Sequence, residues 1–148
     1  MLRKLVKDDF NVPDGIKSDN YRLRMLTIQD VVKDFDAVVT SANHIKGVLD
    51  ANSSWPEGLT LEQNLIDIGW HQKEFQKRSS FAYTVMSPDE KRCLGCVYIY
   101  PSDRADADVF MWVREDELNS LDNKLFKRVQ LWLEQDWPFE TVRYPGRK

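Results

Sequence analysis

Apolar and polar residues alternate along Tyr21-Arg-Leu-Arg-Met-Leu26, the period of a strand with one buried face. The pattern then changes. Val31, Phe35, Val38, Ala42, Ile45 and Leu49 recur at spacings of four and three, which predicts an amphipathic helix with a break near Ser41–Asn43. Thr27 stands as its N-cap with Asp30 three places on, so side chains can satisfy amides that the first turn leaves open. Asn52, Ser53, Ser54, Pro56 and Gly58 mark 51–58 as a loop, with Trp55 pinning it to the body. Thr60 and Gln63 repeat the capping pattern. Leu61, Leu65, Ile68 and Phe75 then predict a second helix ending near Arg78.

Phe81–Met86 and Cys93–Tyr100 flank the short polar turn Ser87-Pro-Asp-Glu90 and predict an antiparallel hairpin. Ala107–Val113 is apolar at both parities, as a strand covered on both faces must be. Leu118, Leu121, Leu125, Val129 and Trp132 predict a third helix, which Trp137-Pro138 ends; Thr141–Tyr144 supplies a last short strand. The order β-α-α-β-β-β-α-β describes one α/β domain of the α+β type over 21–148. Its sheet should be mixed and mostly antiparallel, with helices on both faces. Residues 1–20 show no sustained period and read as an N-terminal arm.

Composition narrows the class. The chain has 148 residues, 42% hydrophobic and 30% charged, which suits a globular domain that needs no staples. No apolar run approaches the roughly 20 residues of a membrane span. The mixed charges of Met1–Phe10 exclude a signal peptide, so a cytoplasmic location is expected. With a net charge of −3 and bases interleaved with acids, a nucleic-acid role is not expected. The one basic run is the tail Arg143, Arg147, Lys148, a solvated end that could steer an anion.

Candidate chemistry is sparse. Cys93 and Cys96 form a lone CxxC within a strand, where residues three apart point to opposite faces, so two buried, reduced thiols are expected. His71-x-x-Glu74 places two possible ligands on one helical face, short of the three or four a metal needs, so no metal is expected. No Gly-x-Ser-x-Gly elbow supports hydrolase chemistry. Tyr98, Tyr100, Phe110 and Trp112 fall on two strands expected to be neighbours, as a stabilising aromatic set or one wall of a ligand cleft.

Three stretches carry a family resemblance over roughly residues 10–147. Phe10-x-Val12-Pro13 with Tyr21-Arg-Leu-Arg-x-Leu-Thr27 and Asp30 resembles the opening of many GNAT-superfamily acyl-CoA N-acyltransferases. Leu94-Gly95-Cys96-Val97-Tyr98 resembles the third strand of that family, and Ala107–Val113 its fourth. The resemblance implies transfer of an acetyl group from acetyl-CoA to a small-molecule or protein amine. It implies a cofactor slot where the fourth strand splays from the fifth; the same opening would invite a neighbouring chain, so a homodimer is also expected. A module that keeps the fold but only binds a ligand or partner is the alternative.

By that resemblance, Met111, Trp112, Val113, Arg114, Asn119, Ser120, Leu121 and Asn123 would hold the cofactor. The family's phosphate loop reads Gln/Arg-x-x-Gly-x-Gly/Ala, because glycines let amides converge on the pyrophosphate at a helix N-terminus. Here those places fall on Leu118, Leu121 and Asn123, or one residue earlier on Glu117, Ser120 and Asp122, with no glycine in either register. The segment 114–122 carries four acids against one arginine. Asp108 and Glu115 are candidate bases. The family's proton donor is a tyrosine in a helix beyond the fifth strand; no residue here matches it, and Tyr144 is a weak candidate.

Overall fold

The computed structural model describes residues 3–147. Six strands form one sheet in sequence order: β1 Gly15–Lys17, β2 Arg22–Met25, β3 Phe81–Met86, β4 Cys93–Tyr100, β5 Ala107–Val113 and β6 Val142–Arg143. All neighbours pair antiparallel except β5 and β6, which run parallel. The helices are α1 Val31–Thr40, α2 Ala42–Ile45, α3 Leu61–Gln76 and α4 Asn123–Asp136. Among the described residues no helix is long and apolar enough to cross a membrane.

The sheet separates two cores. On one side α4 sets Leu125, Val129, Trp132 and Leu133 against Tyr83, Val97, Val109 and Met111. On the other, α1, α2 and α3 cover Ala82, Cys96, Tyr98 and Trp112. Each fully buried aliphatic or aromatic side chain stabilises the fold by about 1.5–3 kcal/mol, so β5, apolar except for Asp108, belongs between the two layers. Caps set the helix starts as the sequence implies: Thr27 N–H donates to Asp30 Oδ2 at 2.9 Å, and Gln63 N–H to Thr60 Oγ1 at 3.1 Å. The break in the first helical stripe is at Ser41, between α1 and α2.

Three expectations change. The segment before Tyr21 is part of the sheet, since Gly15–Lys17 pairs with Arg22–Arg24. Val6 is buried, and Tyr83 Oη donates to the Pro13 carbonyl at 2.6 Å. The inward stripe of α3 is Asn64, Ile68, His71 and Phe75; Leu61 and Leu65 are more than 40% exposed. Finally, Cys93 and Cys96 share a face. Val85 pairs with Gly95 and Met86 with Cys93, so Leu94 is an extra residue in β4. That bulge shifts the alternation by one and turns both sulfurs toward α1. Both thiols are free and buried, and burial pushes Cys93 up to about 12.

Candidate functional site

The two edges of β5 are unequal. On one side it pairs with β4 from Gly95↔Val113 to Tyr100↔Asp108. Gly95 permits that approach, since a Cβ there would stand 2.2 Å from the Trp112 carbonyl oxygen. On the other side, among the described residues, β6 pairs only at Ala107↔Val142 and Asp108↔Arg143, and Val109–Val113 has no strand beside it. Arg147 stands at this opening. Its guanidinium donates to Asp122 Oδ1 at 2.8 Å, Asp122 Oδ2 at 3.0 Å and the Met111 carbonyl at 3.4 Å. The same group lies 4.8 Å from the centre of the Phe126 ring.

Beyond β5 the chain makes a 3₁₀ turn, Glu115–Glu117, then a π-helical turn, Leu118–Asp122, and enters α4. The amides of Arg114, Glu115 and Glu117 are engaged within the protein. Arg114 N–H donates to Leu94 O at 2.8 Å, Glu115 N–H to Ser41 Oγ at 3.0 Å, and Glu117 N–H to Arg114 O at 2.9 Å. Arg92 ties the turn down through Asp116 and Glu117. Nothing in this segment is an anion nest of the glycine type.

The residues expected at a cofactor site disperse. Met111 and Val113 face α4, and Trp112 faces α1. Arg114 is only 7% exposed; it donates to Asp36 Oδ2 at 3.0 Å and lies 3.7 Å from Asp116 Oδ1. Asn119, Ser120 and Asn123 are exposed, while Leu121 is buried in the core. Asp108 lies at the start of β5 and Glu115 just beyond its end, roughly 20 Å apart at about 3.3 Å per residue. Asp108 sits 3.6 Å from Arg143. Tyr144 packs on Phe126 of α4, with its hydroxyl pushed up to about 12 by burial and by Glu134. Asp108 alternates with Val109 toward the face of Phe110 and Trp112, so the sheet separates it from Tyr144.

The aromatic set does gather. Tyr98 and Tyr100 stack at 5.9 Å, Tyr100 meets Phe110 at 5.8 Å, and Trp112 Nε1 donates to Tyr98 Oη at 3.0 Å. Tyr98 is also the floor of a cavity of about 270 Å³ between α1, α3 and the 49–55 loop. Asp34 borders it, 4% exposed, accepting a 2.8 Å hydrogen bond from Asn64 Nδ2. Burial raises Asp34 to about 6 despite that bond, and Asp30 and Asp67 add like charge. His71 lies 5.4 Å from the Tyr98 ring; its Nδ1 is covered and has no partner. The same burial holds its pKa below the ordinary histidine value. The sequence does signal the cavity: Asp34 falls between Val31 and Val38, and Asn64 and His71 share a stripe with Ile68 and Phe75.

No protein-family model matches the sequence, and no curated protein does. Solved structures resemble it strongly in shape. The ribosomal-protein-S5-alanine acetyltransferase from Vibrio fischeri superposes with a TM-score of 0.64 at 13% identity, over 80% of this chain and 66% of that one. An apo ribosomal L7/L12 α-N-protein acetyltransferase gives 0.63 at 14%, over 93% and 73%. The microcin C7 self-immunity acetyltransferase, in complex with acetyl-CoA and AMP, gives 0.60 at 15%, over 83% and 68%. The chain thus spans about two thirds of the length of these proteins. A mixed six-stranded sheet opening between β5 and β6, with α1 and α3 on one face and α4 on the other, is the fold of the GNAT acyl-CoA N-acyltransferases.

Proposed function

We propose that this chain is an N-acyltransferase that moves an acetyl group from acetyl-CoA to an amine, the acceptor being a small molecule or a protein. The observation that carries the reading is the open edge of β5, where Val109–Val113 keeps backbone groups clear of any strand. A slot of this kind suits a chain of amides such as pantetheine, and its N–H groups can polarise a thioester carbonyl. Acetyl-CoA, when bound, supplies the activated acyl group. The structures that share the fold include an acetyl-CoA complex, which supports the same cofactor here.

The residues fit that group at the slot and fit it poorly at the phosphates. Arg147 must leave Met111 and Asp122 before the slot is free. Once released, its guanidinium is a cation at the N-terminal end of α4, where Asp122 now neutralises it. Asp108, on the face of the aromatic row, is the candidate base, taking a proton from an amine directly or through water. Tyr144, kept protonated, is the candidate acid on the α4 side.

Calorimetric titration with acetyl-CoA and with free CoA tests this, paired with amide shifts. Saturable binding with shifts confined to 109–124 and 144–147 is expected. No binding at millimolar cofactor would sink the acyltransferase reading for this chain.

A further inference from the structure

We propose that the cavity between α1 and α3 is a binding site for a small organic ammonium ion, with Asp34 and Asp67 holding its charge. The lining is one-sided. Asp34, Asp67 and Glu74 contribute carboxylates, Trp55, Trp70 and Tyr98 contribute aromatic faces, and no lysine or arginine takes part. Among the described residues Asp34 enters no ion pair, and its one side-chain partner is the neutral Asn64. Asp30, four residues earlier, shows the ordinary arrangement: two hydrogen bonds from Arg24, at 2.8 and 3.0 Å, neutralise it. A carboxylate taken out of water without a cation is costly, and a ligand bearing the missing charge removes that cost.

Two further observations define the ligand. His71 borders the cavity, and burial holds it toward the neutral form, so it adds no positive charge beside Asp34. Lys73 Nζ already lies 5.4 Å from the Trp70 ring centre, so Trp55 and Tyr98 are the aromatic walls left to attract a cation. The volume, about 270 Å³, lies just below the 300–1,000 Å³ of sites for drug-sized ligands. A compact amine fits such a space; an extended peptide end needs a groove.

Asp34 faces Asn64, Asp67, His71 and Glu74 on α3, Asp30 before α1, and Cys93, Cys96 and Tyr98 on β4. None of these supplies a positive charge when His71 is neutral. Ammonium binding therefore strengthens as pH rises through about 6, where Asp34 ionises. The proposal meets the acyltransferase reading at one point. Tyr98 joins the cavity floor to β5 through Trp112, so in an acyltransferase the held amine would be the acceptor. Binding itself needs no cofactor.

The test is a titration of cofactor-free protein with butylammonium chloride, with butan-1-ol as its uncharged counterpart and a tetrapeptide with a free N-terminus as the extended amine. Tryptophan fluorescence and amide shifts report it. Butylammonium alone should saturate, with shifts in 31–38 and 64–74. Its affinity should fall about tenfold or more, the equivalent of one lost charge contact, in Asp34→Asn and again at pH about 5. Asp67→Asn, half-exposed on a helix, gives a smaller loss and guards against a folding artefact. Equal binding of butan-1-ol, tighter binding of the peptide, unchanged affinity in a folded Asp34→Asn, or no saturation by butylammonium would overturn the proposal. An acetyl-CoA titration run in parallel separates the two readings: cofactor binding without ammonium binding removes only this one, and the converse removes only acyl transfer.

Discussion

At the C-terminal end of β5 each guanidinium meets a carboxylate: Arg147 with Asp122, Arg92 with Asp116 and Glu117, Arg114 with Asp36. Under α1 and α3 the reverse holds, and Asp34, Asp67 and Glu74 border a cavity with no basic side chain. The first region is electrostatically complete. An anion such as a pyrophosphate enters it only by breaking ion pairs already made. The second is incomplete: its nearest cation, Lys73, lies 5.4 Å from the Trp70 ring, and among the described residues Asp34 enters no ion pair. Selectivity for charge is thus built into two neighbouring concavities by what each lacks.

The largest expected effect comes from removing the uncompensated charge. Asp34 titrates near 6 in the folded chain and at 3.8 in the ordinary carboxylate. A raised acid binds more protons folded than unfolded, so its stabilising contribution is full below about pH 3.8 and lost as pH rises through 6. The shift of about two units corresponds to about 3 kcal/mol at neutral pH. Asp34→Asn keeps the Asn64 hydrogen bond and should raise stability by up to that amount at pH 7.5, with the gain vanishing near pH 4. Urea denaturation at the two pH values measures it. A destabilised variant at pH 7.5 would show that Asp34 is compensated after all. A gain in stability together with a loss of ammonium binding is the signature of a group kept for function.

Removing a compensated charge should do the opposite. Arg114→Met takes away the bonds to Asp36 and to the Cys93 carbonyl, the latter at 3.4 Å. Asp36 is 62% exposed and is rehydrated, so the cost is chiefly the lost packing and the freed carbonyl, about 2 kcal/mol. Asp36→Asn leaves Arg114 with Asp116 and costs less than about 1 kcal/mol. Equal losses in the two variants would mean the pair, not the arginine's burial, carries the stability.

Much of this contrast was open to reading before any coordinates. The alternation at 21–26, the nearly all-apolar 107–113 and the two capping pairs fix the layers, because period and capping are local properties of the chain. The missing loop glycines are equally visible at 117–123. What fails is non-local. The bulge at Leu94 reverses the expected sides of Cys93 and Cys96, and nothing within 93–100 announces an extra residue. The stripe of α3 is displaced because Leu61 and Leu65 outweigh Asn64 on any hydropathy scale, yet Asn64 is the residue Asp34 needs. Arg147 reads as a solvated tail until Asp122, 25 positions away, is placed beside it.

That Arg147–Asp122 contact supplies a smaller effect. Both side chains are about a quarter exposed, so a double-mutant cycle of Arg147→Ala and Asp122→Ala should give a coupling of about 1 kcal/mol. Asp122→Ala also removes a repulsive carboxylate and leaves Arg147 free for an anion. CoA affinity should therefore rise about three- to tenfold in this variant, in a calorimetric titration at low salt. No change would place the phosphates elsewhere.

The smallest effect belongs to His71. Burial lowers its folded pKa, while the nearby Glu74 charge pulls the other way. A histidine kept neutral when folded takes up its proton on unfolding, so its stabilising share is present above pH 6.5 and lost as pH falls below it. Asp34 slopes in the opposite sense below about 6, which flattens the wild-type profile just below that pH. In Asp34→Asn the histidine slope stands alone, and stability should rise with pH across that window. His71→Phe on that background keeps a ring against Tyr98 and should abolish the rise. A slope that survives the second substitution would assign the titration to another group.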